Sequence, residues 1–453
     1  MVKKTTLIFF YIKKNMYCVD TTATYPEQTP VYTGATITIL PEVQVVEDYM
    51  IALRRHFHQN PELGFKEFET AKRIVQELRD IGIQAITESI AVTGIVAIIE
   101  GGAGLGPCVL LRADMDALPL QETAEIPYAS VNAMRMHACG HDGHMASLLG
   151  AAKVLYAQRA SLRGTIRLCF QPAEEGGAGG KVMVDEGVLE EKPGWGPRVD
   201  FVFGAHLWSF AALGQVGATY GPMMAAADFL DIEVNGKGGH GAEPHKSVDA
   251  IVVASHLVGA LQTVVSRSIA PLEPGVVTIG QIQGGSGHNI IADKVVMHGT
   301  VRAFTTQCQN VMEASIRRIC KGTATTFGCP HIECSYRRAY PPTINRCKAS
   351  VACLNSAARK IVGDGAGHQF QTCAAEDFSF FLERRPGAFF FVGAGIPGPL
   401  RPHHKSVFDF DEKALGVTAS VFVQLVRDLL SQDGPTPEAA AALEALPHFQ
   451  PTA

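Results

Sequence analysis

The order of apolar segments along the chain constrains its fold most strongly. Near-continuous apolar strands, such as residues 94–100, 108–112 and 165–170, alternate with segments whose apolar residues recur every three or four positions. The second pattern is typical of helices. Strands that are apolar throughout have both faces covered, as in a mainly parallel sheet between two layers of helices. The sequence therefore predicts an α/β/α sandwich.

Near Pro222 this pattern changes. Residues 229–234 alternate between apolar and polar side chains, as in a strand with one exposed face. The segments that follow predict the order β-α-β-β-α-β, which is that of a small ferredoxin-like domain, and after Pro341 the first pattern resumes. We therefore predict an α/β fold in which an α/β/α sandwich domain is interrupted by an inserted ferredoxin-like domain. The predicted parts are a leader (1–41), the first part of the sandwich domain (42–221), the insertion (222–341), the second part of the sandwich domain (342–431) and a tail (432–453).

Composition and charge exclude several classes of protein. The chain has 453 residues, of which 47% are hydrophobic and 18% are charged, so it can bury a large core and is not a disordered chain or a coiled coil. Its net charge is −5, which argues against nucleic acid as a partner. No apolar run reaches the roughly 18–20 residues that a membrane helix needs, so we expect no membrane partner either.

The cysteines and the N-terminus bear on the cellular compartment. The 11 cysteines are scattered without a framework spacing, which favours reduced thiols in the cytoplasm. A short apolar run at residues 7–12 follows Lys3 and Lys4 and resembles a secretion signal, but Lys13 and Lys14 interrupt it. No small-residue cleavage site follows. We therefore expect a cytoplasmic protein, with secretion or targeting left as the alternative.

The densest chemical signal lies in residues 136–144. This segment holds three histidines, a cysteine and an aspartate, spaced by glycines, directly before a predicted helix. A cysteine thiolate and imidazoles are good ligands for a borderline metal such as zinc. A polar loop that caps the helix is the alternative interpretation, and His137 and His144 individually fit a capping or supporting role better than a ligand role.

Other polar groups follow the predicted strands. Glu174 and Glu175 come after the strand at 165–170, and α/β sheets bind ligands beyond the carboxyl ends of their strands. One of two adjacent glutamates can hold a metal while the other acts as a general base. An exposed acidic turn with the same sequence is the alternative interpretation. The other strand-end groups with ligand chemistry are Asp114, Asp116, His206, His403 and His404. Their convergence at one edge of the sheet predicts a metal site.

Together these motifs resemble the dinuclear-metal peptidases and amidohydrolases. The nearest branch contains bacterial aminoacylases, hippurate hydrolase and the plant hydrolases of indoleacetyl–amino acid conjugates. The resemblance extends from about residue 54 to residue 430. The motifs that carry it, in the family's order, are HQNPEL at 58–63, DMDALP at 114–119, MHACGHDGH at 136–144, QPAEEG at 171–176, GKGGHGAEPH at 236–245 and AEDFS at 375–379.

The resemblance implies a catalytic domain with an inserted lid domain and two divalent metal ions per subunit, zinc or manganese. Glu174 would be the general base. His403 stays open as an alternative to His404, because the chain reads His-His-Lys where the family usually has one histidine followed by Ser-Pro or Asn-Pro. The implied metal ligands are Cys139, His141, Glu175, His206 and His404, and the implied substrate-binding residues are His240, Asn289 and Arg302.

The implied reaction is hydrolysis of the amide bond of an N-acyl amino acid to a carboxylic acid and a free amino acid. The acyl group would be of the acetyl, benzoyl or indoleacetyl type. A dipeptidase or a diamino-acid deacetylase of the same class is the first alternative, but the sequence offers no obvious carboxylate for a charged amino terminus. A non-catalytic metal- or ligand-binding protein is the second alternative. The resemblance also makes a homodimer through an exposed edge strand of the lid sheet possible.

Overall fold

The structure is a computed structural model that describes residues 36–448. Most of the predicted leader and the end of the predicted tail lie outside the described residues. The helices are α1 Pro41–Gln44, α2 Glu47–Gln59, α3 Phe68–Ile81, α4 His141–Gln158, α5 Glu174–Gly177, α6 Gly179–Asp185, α7 Ala250–Leu261, α8 Thr306–Phe327, α9 Lys348–Val362, α10 Ser379–Leu382, α11 Lys413–Leu430 and α12 Pro437–Ala445. The strands are β1 Ile86–Ile90, β2 Gly94–Glu100, β3 Cys108–Asp114, β4 Thr165–Gln171, β5 Phe201–Ala212, β6 Val216–Gly217, β7 Gly221–Met224, β8 Ala227–Asn235, β9 Gly239–His240, β10 Gly275–Gly284, β11 Ile290–Ile291, β12 Lys294–Ala303, β13 His331–Tyr340, β14 Thr343–Asn345 and β15 Gly387–Gly395.

The larger sheet has seven strands in the order β1-β2-β4-β3-β5-β15-β6. The central strands β4, β3, β5 and β15 run parallel to one another, and β2 and β6 pair antiparallel at the two sides. Every residue of β3 and β4 is buried, because apolar cores lie on both faces of this sheet. The mixed α/β fold predicted from the apolar strands is therefore confirmed.

Helix α4 lies in the middle of the main core. The apolar and small residues of this helix occupy nearly all of its faces, so it is buried on nearly all sides between the sheet and helices α2 and α11. Gly140, directly before it, has a φ of 96°, a left-handed conformation that glycine adopts without a steric cost. The turn at Gly140 brings the end of the 136–144 segment to the carboxyl edge of the parallel strands.

A second sheet is built from the middle of the chain. Its four antiparallel strands have the order β10-β12-β8-β13, and α7 and α8 pack with it around a separate apolar core. The chain reaches this sheet after β7 and leaves it before β14, and β7 and β14 pair with each other, with Thr343 opposite Met224. The two connections of the second sheet therefore lie side by side.

One helical stretch of the described residues, Ala250–Ser268, is long and apolar enough to cross a membrane by length and composition alone. Val253, Ala254, Leu257 and Leu261 on one face of α7 are buried in the core of the second sheet. A helix that packs in this way passes the same test without crossing a membrane. The stretch is therefore weak support for a membrane span.

The structure also differs from the predicted elements at two places near the site. The sequence predicts a helix over residues 376–383, whereas the structure has only the short α10, and Glu376 and Asp377 precede it as buried groups. Strand β5 was expected to end at His206 but continues to Ala212, because β15 pairs with it as far as Gly395. His206 therefore lies inside a strand rather than at its end.

Candidate metal centre

Five of the residues implied as ligands lie together at the carboxyl edge of the main sheet. The Cys139 Sγ atom is 3.5 Å from His206 Nε2 and 3.4 Å from His404 Nε2. The same His404 nitrogen is 3.1 Å from Glu175 Oε1. Ligand-type atoms of Cys139, His141 and His206 form one group within 4.8 Å, and those of Cys139, Glu175 and His404 form another. Cys139 belongs to both groups.

Two histidines of this cluster, His141 and His206, are held through Nδ1 and place Nε2 at the cluster. His141 Nδ1 donates to the Asp116 carbonyl oxygen at 2.8 Å, and its buried Nε2 has no hydrogen-bond partner. His206 Nδ1 donates to the Leu207 carbonyl oxygen at 2.6 Å, which leaves its Nε2 facing Cys139. Metal-binding histidines are held in this way by a hydrogen bond from the other ring nitrogen. The donor set of sulfur, imidazole and carboxylate therefore fits a zinc-type cation.

The structure favours His404 over His403 as a ligand. His403 Nε2 accepts a hydrogen bond from the Ser209 backbone N–H at 3.0 Å, so its lone pair is already used. Its ring stacks on Trp208 with 4.8 Å between ring centroids. His404 adopts a φ of 60°, an uncommon conformation for a residue with a side chain, and its Nε2 lies beside Cys139 and Glu175.

The loop after β4 carries Glu174 and Glu175. Asp116 accepts the backbone N–H of Glu174 at its Oδ1 and that of Glu175 at its Oδ2, both at 2.9 Å. The loop bends sharply because Ala173 and Gly176 have φ values of 51° and 90°. Asp116 was a candidate ligand on sequence grounds, and the structure places it as the group that orients both glutamates.

Glu174 is buried at the cluster, where one of its carboxylate oxygens, one of Glu175 and a nitrogen of His141 lie within 4.8 Å of one another. Burial, followed by the negative charges of Glu376 and Glu175, raises the pKa of Glu174 well above its usual value. A carboxylate with a raised pKa can accept a proton and release it again near neutral pH. This is the property that a general base requires.

Supporting ion pairs surround the cluster. The fully buried Arg112 donates to Asp114, Glu376 and Asp377 at 2.6, 2.8 and 3.0 Å. His144 Nδ1 donates to Asp114 Oδ1 at 2.6 Å, and its Nε2 accepts the N–H of Leu207 at 2.9 Å. His144 therefore ties α4 to β5 beside His206, in agreement with its expected supporting role.

A cavity of about 770 Å³ lies between the cluster and the second sheet. The guanidinium of Arg302 lines it and donates to the Val301 carbonyl oxygen at 3.1 Å. Within residues 36–448, no carboxylate lies within ion-pair distance of Arg302. His240 and Asn289 are exposed near the β9–β11 ribbon and do not line the cavity. Of the three residues implied to bind substrate, the structure thus brings only Arg302 to it.

Comparison with known proteins agrees with this geometry. Residues 110–428 match the family described as peptidase family M20/M25/M40. The chain belongs to this family. The resemblance seen in its motifs is confirmed, and membership of a peptidase family makes the chain a hydrolytic enzyme.

Similar proteins of this family have related names. N-acetyl-L-cysteine deacetylase of Bacillus subtilis (strain 168) is 41% identical over 408 residues, which are 88% of this chain and 93% of that protein. IAA-amino acid hydrolase ILR1-like 4 of Arabidopsis thaliana is 39% identical over 389 residues, 83% of this chain and 85% of that one. The Bacillus subtilis YXEP protein, described as a dinuclear metal binding peptidase from M20 family, superposes with a TM-score of 0.72 at 33% identity and covers 84% of this chain and 98% of its own.

Sequence reasoning missed three features of this M20-family site. Arg112 ends a predicted apolar strand, and a charged residue in such a strand is a signal for a buried ion pair. Glu376 was noted only within a motif, yet it lines the cavity and bonds to Arg112. Trp208 and Phe210 also line the cavity. Their spacing of two residues, which puts both side chains on one face of a strand, was the sequence signal for this shared position.

Proposed function

We propose that this chain is a metal-dependent hydrolase that cleaves N-acyl amino acids into a carboxylic acid and a free amino acid. One observation carries the proposal: a buried glutamate beside a cluster of metal-ligand atoms faces a cavity that also contains an arginine with no carboxylate partner among residues 36–448. The names of the relatives, a deacetylase of N-acetyl-L-cysteine and a hydrolase of IAA-amino acids, support the same reaction.

Two divalent ions would be held by the five ligand residues described above, with Cys139 shared between the two groups of ligand atoms. The description of the similar Bacillus subtilis structure as dinuclear supports this number. The Cys139 thiolate favours zinc, whereas imidazole and carboxylate ligands also suit manganese. When bound, the ions would polarise the substrate carbonyl and lower the pKa of a water molecule.

Glu174 would move the proton during the reaction. Its carboxylate takes a proton from the attacking water and delivers it to the nitrogen of the departing amino acid. Asp116 fixes the backbone of Glu174, so the carboxylate is held in place before substrate arrives. Such preorganisation reduces the motion required in the transition state.

Arg302 would bind the substrate's carboxylate. Its guanidinium is partly buried and lacks a carboxylate partner among the described residues, so an anionic substrate group would supply the missing charge. The inserted domain that carries it would act as a lid. His240 and Asn289 would approach the substrate when this lid closes, because both lie outside the cavity in the present arrangement.

The acyl group would lie against the aromatic wall of the cavity. Trp208, Phe210 and Phe229 contribute this wall, and a cavity of about 770 Å³ is large enough for a ligand of drug size. We therefore expect benzoyl and indoleacetyl groups to bind better than acetyl. A dipeptide or diamino acid would place an ammonium group there, and the lining carboxylate of Glu376 is already bonded to Arg112 at 2.8 Å.

The chain would form a homodimer through the lid sheet. Strand β10 is an edge strand, and Ile251, Ile282 and Ile290 on or near it are exposed apolar residues. Exposed apolar groups along an unpaired strand edge favour pairing with a second copy. Sedimentation of the purified chain at micromolar concentration should give the mass of a dimer, and a monomer would refute this part of the proposal.

The cytoplasm would be the working compartment. Ten cysteines among residues 36–448 are free thiols, which suits a reducing environment. Cys373, the solvent-exposed member of these ten, lines the substrate cavity. Loss of activity on oxidation that a thiol reductant reverses would agree with this compartment.

A substrate panel tests the proposed reaction. Hippurate, N-acetyl-methionine, indoleacetyl-alanine and alanyl-alanine are incubated with the purified chain, with and without a chelator and with added zinc or manganese. We expect release of the amino acid from the acylated substrates, inhibited by the chelator. Cleavage of alanyl-alanine alone would indicate a dipeptidase, and no turnover by folded, metal-loaded protein would favour a binding protein.

A further inference from the structure

The phenol of Tyr340 contacts the loop that carries the proposed general base. We propose that Tyr340 is a positioning residue for Glu174: its hydroxyl fixes the backbone of residues 174–178 and links this loop to the inserted domain. The proposal rests on the proposed function, because it takes Glu174 as the base of amide hydrolysis. It assigns to Tyr340 no contact with the reacting atoms.

The hydroxyl of Tyr340 makes three hydrogen bonds to this loop. It donates to the Glu174 carbonyl oxygen at 2.6 Å. It accepts the backbone N–H groups of Gly176 and Ala178 at 2.9 and 3.1 Å. A tyrosine hydroxyl offers one donor and two acceptor positions. The loop therefore uses the complete hydrogen-bonding capacity of this group.

The loop needs such an external partner because its backbone is irregular. Ala173, Gly176 and Ala178 have φ values of 51°, 90° and 54°, and two of these three residues carry a side chain, for which a positive φ is unfavourable. Segments of this kind persist when surrounding groups fix them. Asp116 holds the N–H groups of Glu174 and Glu175, and Tyr340 holds the next part of the loop.

A β-bulge directs Tyr340 toward the loop. In the pairing of β13 with β8, Arg338 lies opposite Asp228 and Tyr340 lies opposite Ala227, so the register shifts by one residue between them. Bulges of this kind turn a side chain away from its regular direction. Arg338 is exposed, whereas Tyr340 is only 6% exposed and packs edge-on against Phe380.

Tyr340 lies where the chain leaves the second sheet. It is the last residue of β13, which is one of the two edge strands of the second sheet, and Pro341 and Pro342 follow it as the chain returns to the main domain. A contact from this point to the Glu174 loop connects the orientation of the inserted domain to the position of the base.

The protonation state of Tyr340 suits a positioning role. Burial raises the pKa of its phenol, and the carboxylates of Asp377 and Glu174 raise it further. The hydroxyl therefore stays protonated in the working range of pH and remains able to donate to the Glu174 carbonyl oxygen. It would not exchange protons with substrate.

The variant Tyr340→Phe tests the proposal, with Tyr336→Phe as the matched control. Tyr336 lies on the same strand and its hydroxyl donates to Asp228 Oδ2 at 2.5 Å, within the inserted domain. We expect Y340F to lower kcat for the best substrate of the panel about 10–100-fold, since misplacement of a catalytic group by about 1 Å has effects of this size. Its KM should stay within about threefold, and its metal content and melting temperature should match those of Y336F.

Hydrogen–deuterium exchange provides a readout that is independent of activity. The Gly176 and Ala178 amides should exchange at least about 10-fold faster in Y340F than in the wild type and in Y336F, because they lose their acceptor. Unchanged exchange would show that the Tyr340 hydroxyl does not hold the loop, and faster exchange with unchanged kcat would overturn the positioning role. If the wild type hydrolysed no N-acyl amino acid, the proposed function and the role of Tyr340 in it would both fail. The exchange rates would still decide whether the Tyr340 hydroxyl holds the loop.

Discussion

At the scale of single residues, the adjacent glutamates of the loop after β4 have different surroundings. Glu175 shares a ligand group with Cys139 and His404, whereas Glu174 is buried near Glu376 with a raised pKa. We predict that Glu174→Gln lowers kcat about 10²–10⁴-fold and retains both metals. Glu175→Gln should instead lose metal. Steady-state kinetics and metal analysis on the same preparations check this, and near-normal turnover by E174Q would show that another group is the base.

Trp208 should determine which acyl groups are accepted. Its ring lies beside His206 and lines the cavity, so a smaller side chain removes aromatic contact with the acyl group. We predict that Trp208→Leu lowers kcat/KM for hippurate about 10-fold more than for N-acetyl-methionine.

The chain's other tryptophan is a matched control for this prediction. Trp195 packs against Lys192 Nζ at 4.6 Å and does not line the substrate cavity. Trp195→Leu should leave the ratio of the two kcat/KM values unchanged. An equal loss for both substrates in W208L would mean that Trp208 supports the metal ligands rather than the acyl group.

At the scale of elements, the close approach of α4 to β5 sets the spacing of the ligands. A Cβ atom at Gly143 would lie 2.5 Å from Leu207 Cδ1 and 2.6 Å from Phe410 Cζ, so Gly143→Ala requires these two side chains, or α4 itself, to shift. We predict that this change separates His141 from His206 and weakens metal binding about 10-fold or more, as measured by chelator competition.

A glycine on another helix controls for the general effect of alanine. A Cβ atom added at Gly322 on α8 would meet no described atom within 4 Å, and alanine is favoured over glycine in a helix by about 1 kcal/mol. Gly322→Ala should therefore raise the free energy of unfolding by about this amount and leave metal affinity unchanged. Equal metal affinity in both variants would contradict the role of the α4–β5 spacing.

The sequence predicted some elements better than others, for physical reasons. Strands β3 and β4 were predicted because burial on both faces leaves a local apolar pattern. The continuation of β5 to Ala212 and the buried position of Glu376 were not predicted, since they depend on β15 and on Arg112, which are distant in sequence. The five proposed ligand residues were predicted from motifs, whereas the position of His240 outside the cavity depends on how the two sheets are placed.

At the scale of the whole molecule, a buried ion network joins distant parts of the chain. Arg54 on α2 donates to Asp142 at 3.0 Å and to Asp409 at 2.7 Å, and His58 contacts Asp142 at 2.8 Å and Glu122 at 3.1 Å. Burial lowers the pKa of His58, but these two carboxylates raise it by more, so the net pKa is above the usual value.

This shift predicts a pH dependence of stability. A histidine whose pKa is raised by folding stabilises the fold fully below its unfolded-state pKa of about 6.5 and loses this contribution as the pH rises through the folded-state value. We predict that His58→Gln destabilises the chain by about 1–3 kcal/mol at pH 6 and by less at pH 9, as measured by urea unfolding.

His56 on the same helix is the control for this pH dependence. Burial, and then Arg73, lower its pKa, so folding favours the neutral form. The pH dependence of its contribution to stability therefore has the opposite sign to that of His58. The wild type should lose stability relative to His56→Gln as the pH falls below about 6.5. Parallel curves for the wild type and H58Q across this range would show that the His58 pKa is not raised.

The pairing of β7 with β14 has a consequence for how the gene of such a chain can evolve. Because the chain enters and leaves the second sheet through two paired strands, deletion of the segment between them would leave ends that a hairpin of about two to five residues could close. The shortened chain would retain Glu174 and all five proposed metal ligands but would lose Arg302 and Tyr340. The proposed reaction chemistry and the proposed selection of substrate would thus lie in separable segments of the chain, and the segment that forms the second sheet could be exchanged between related genes without rebuilding the proposed metal centre.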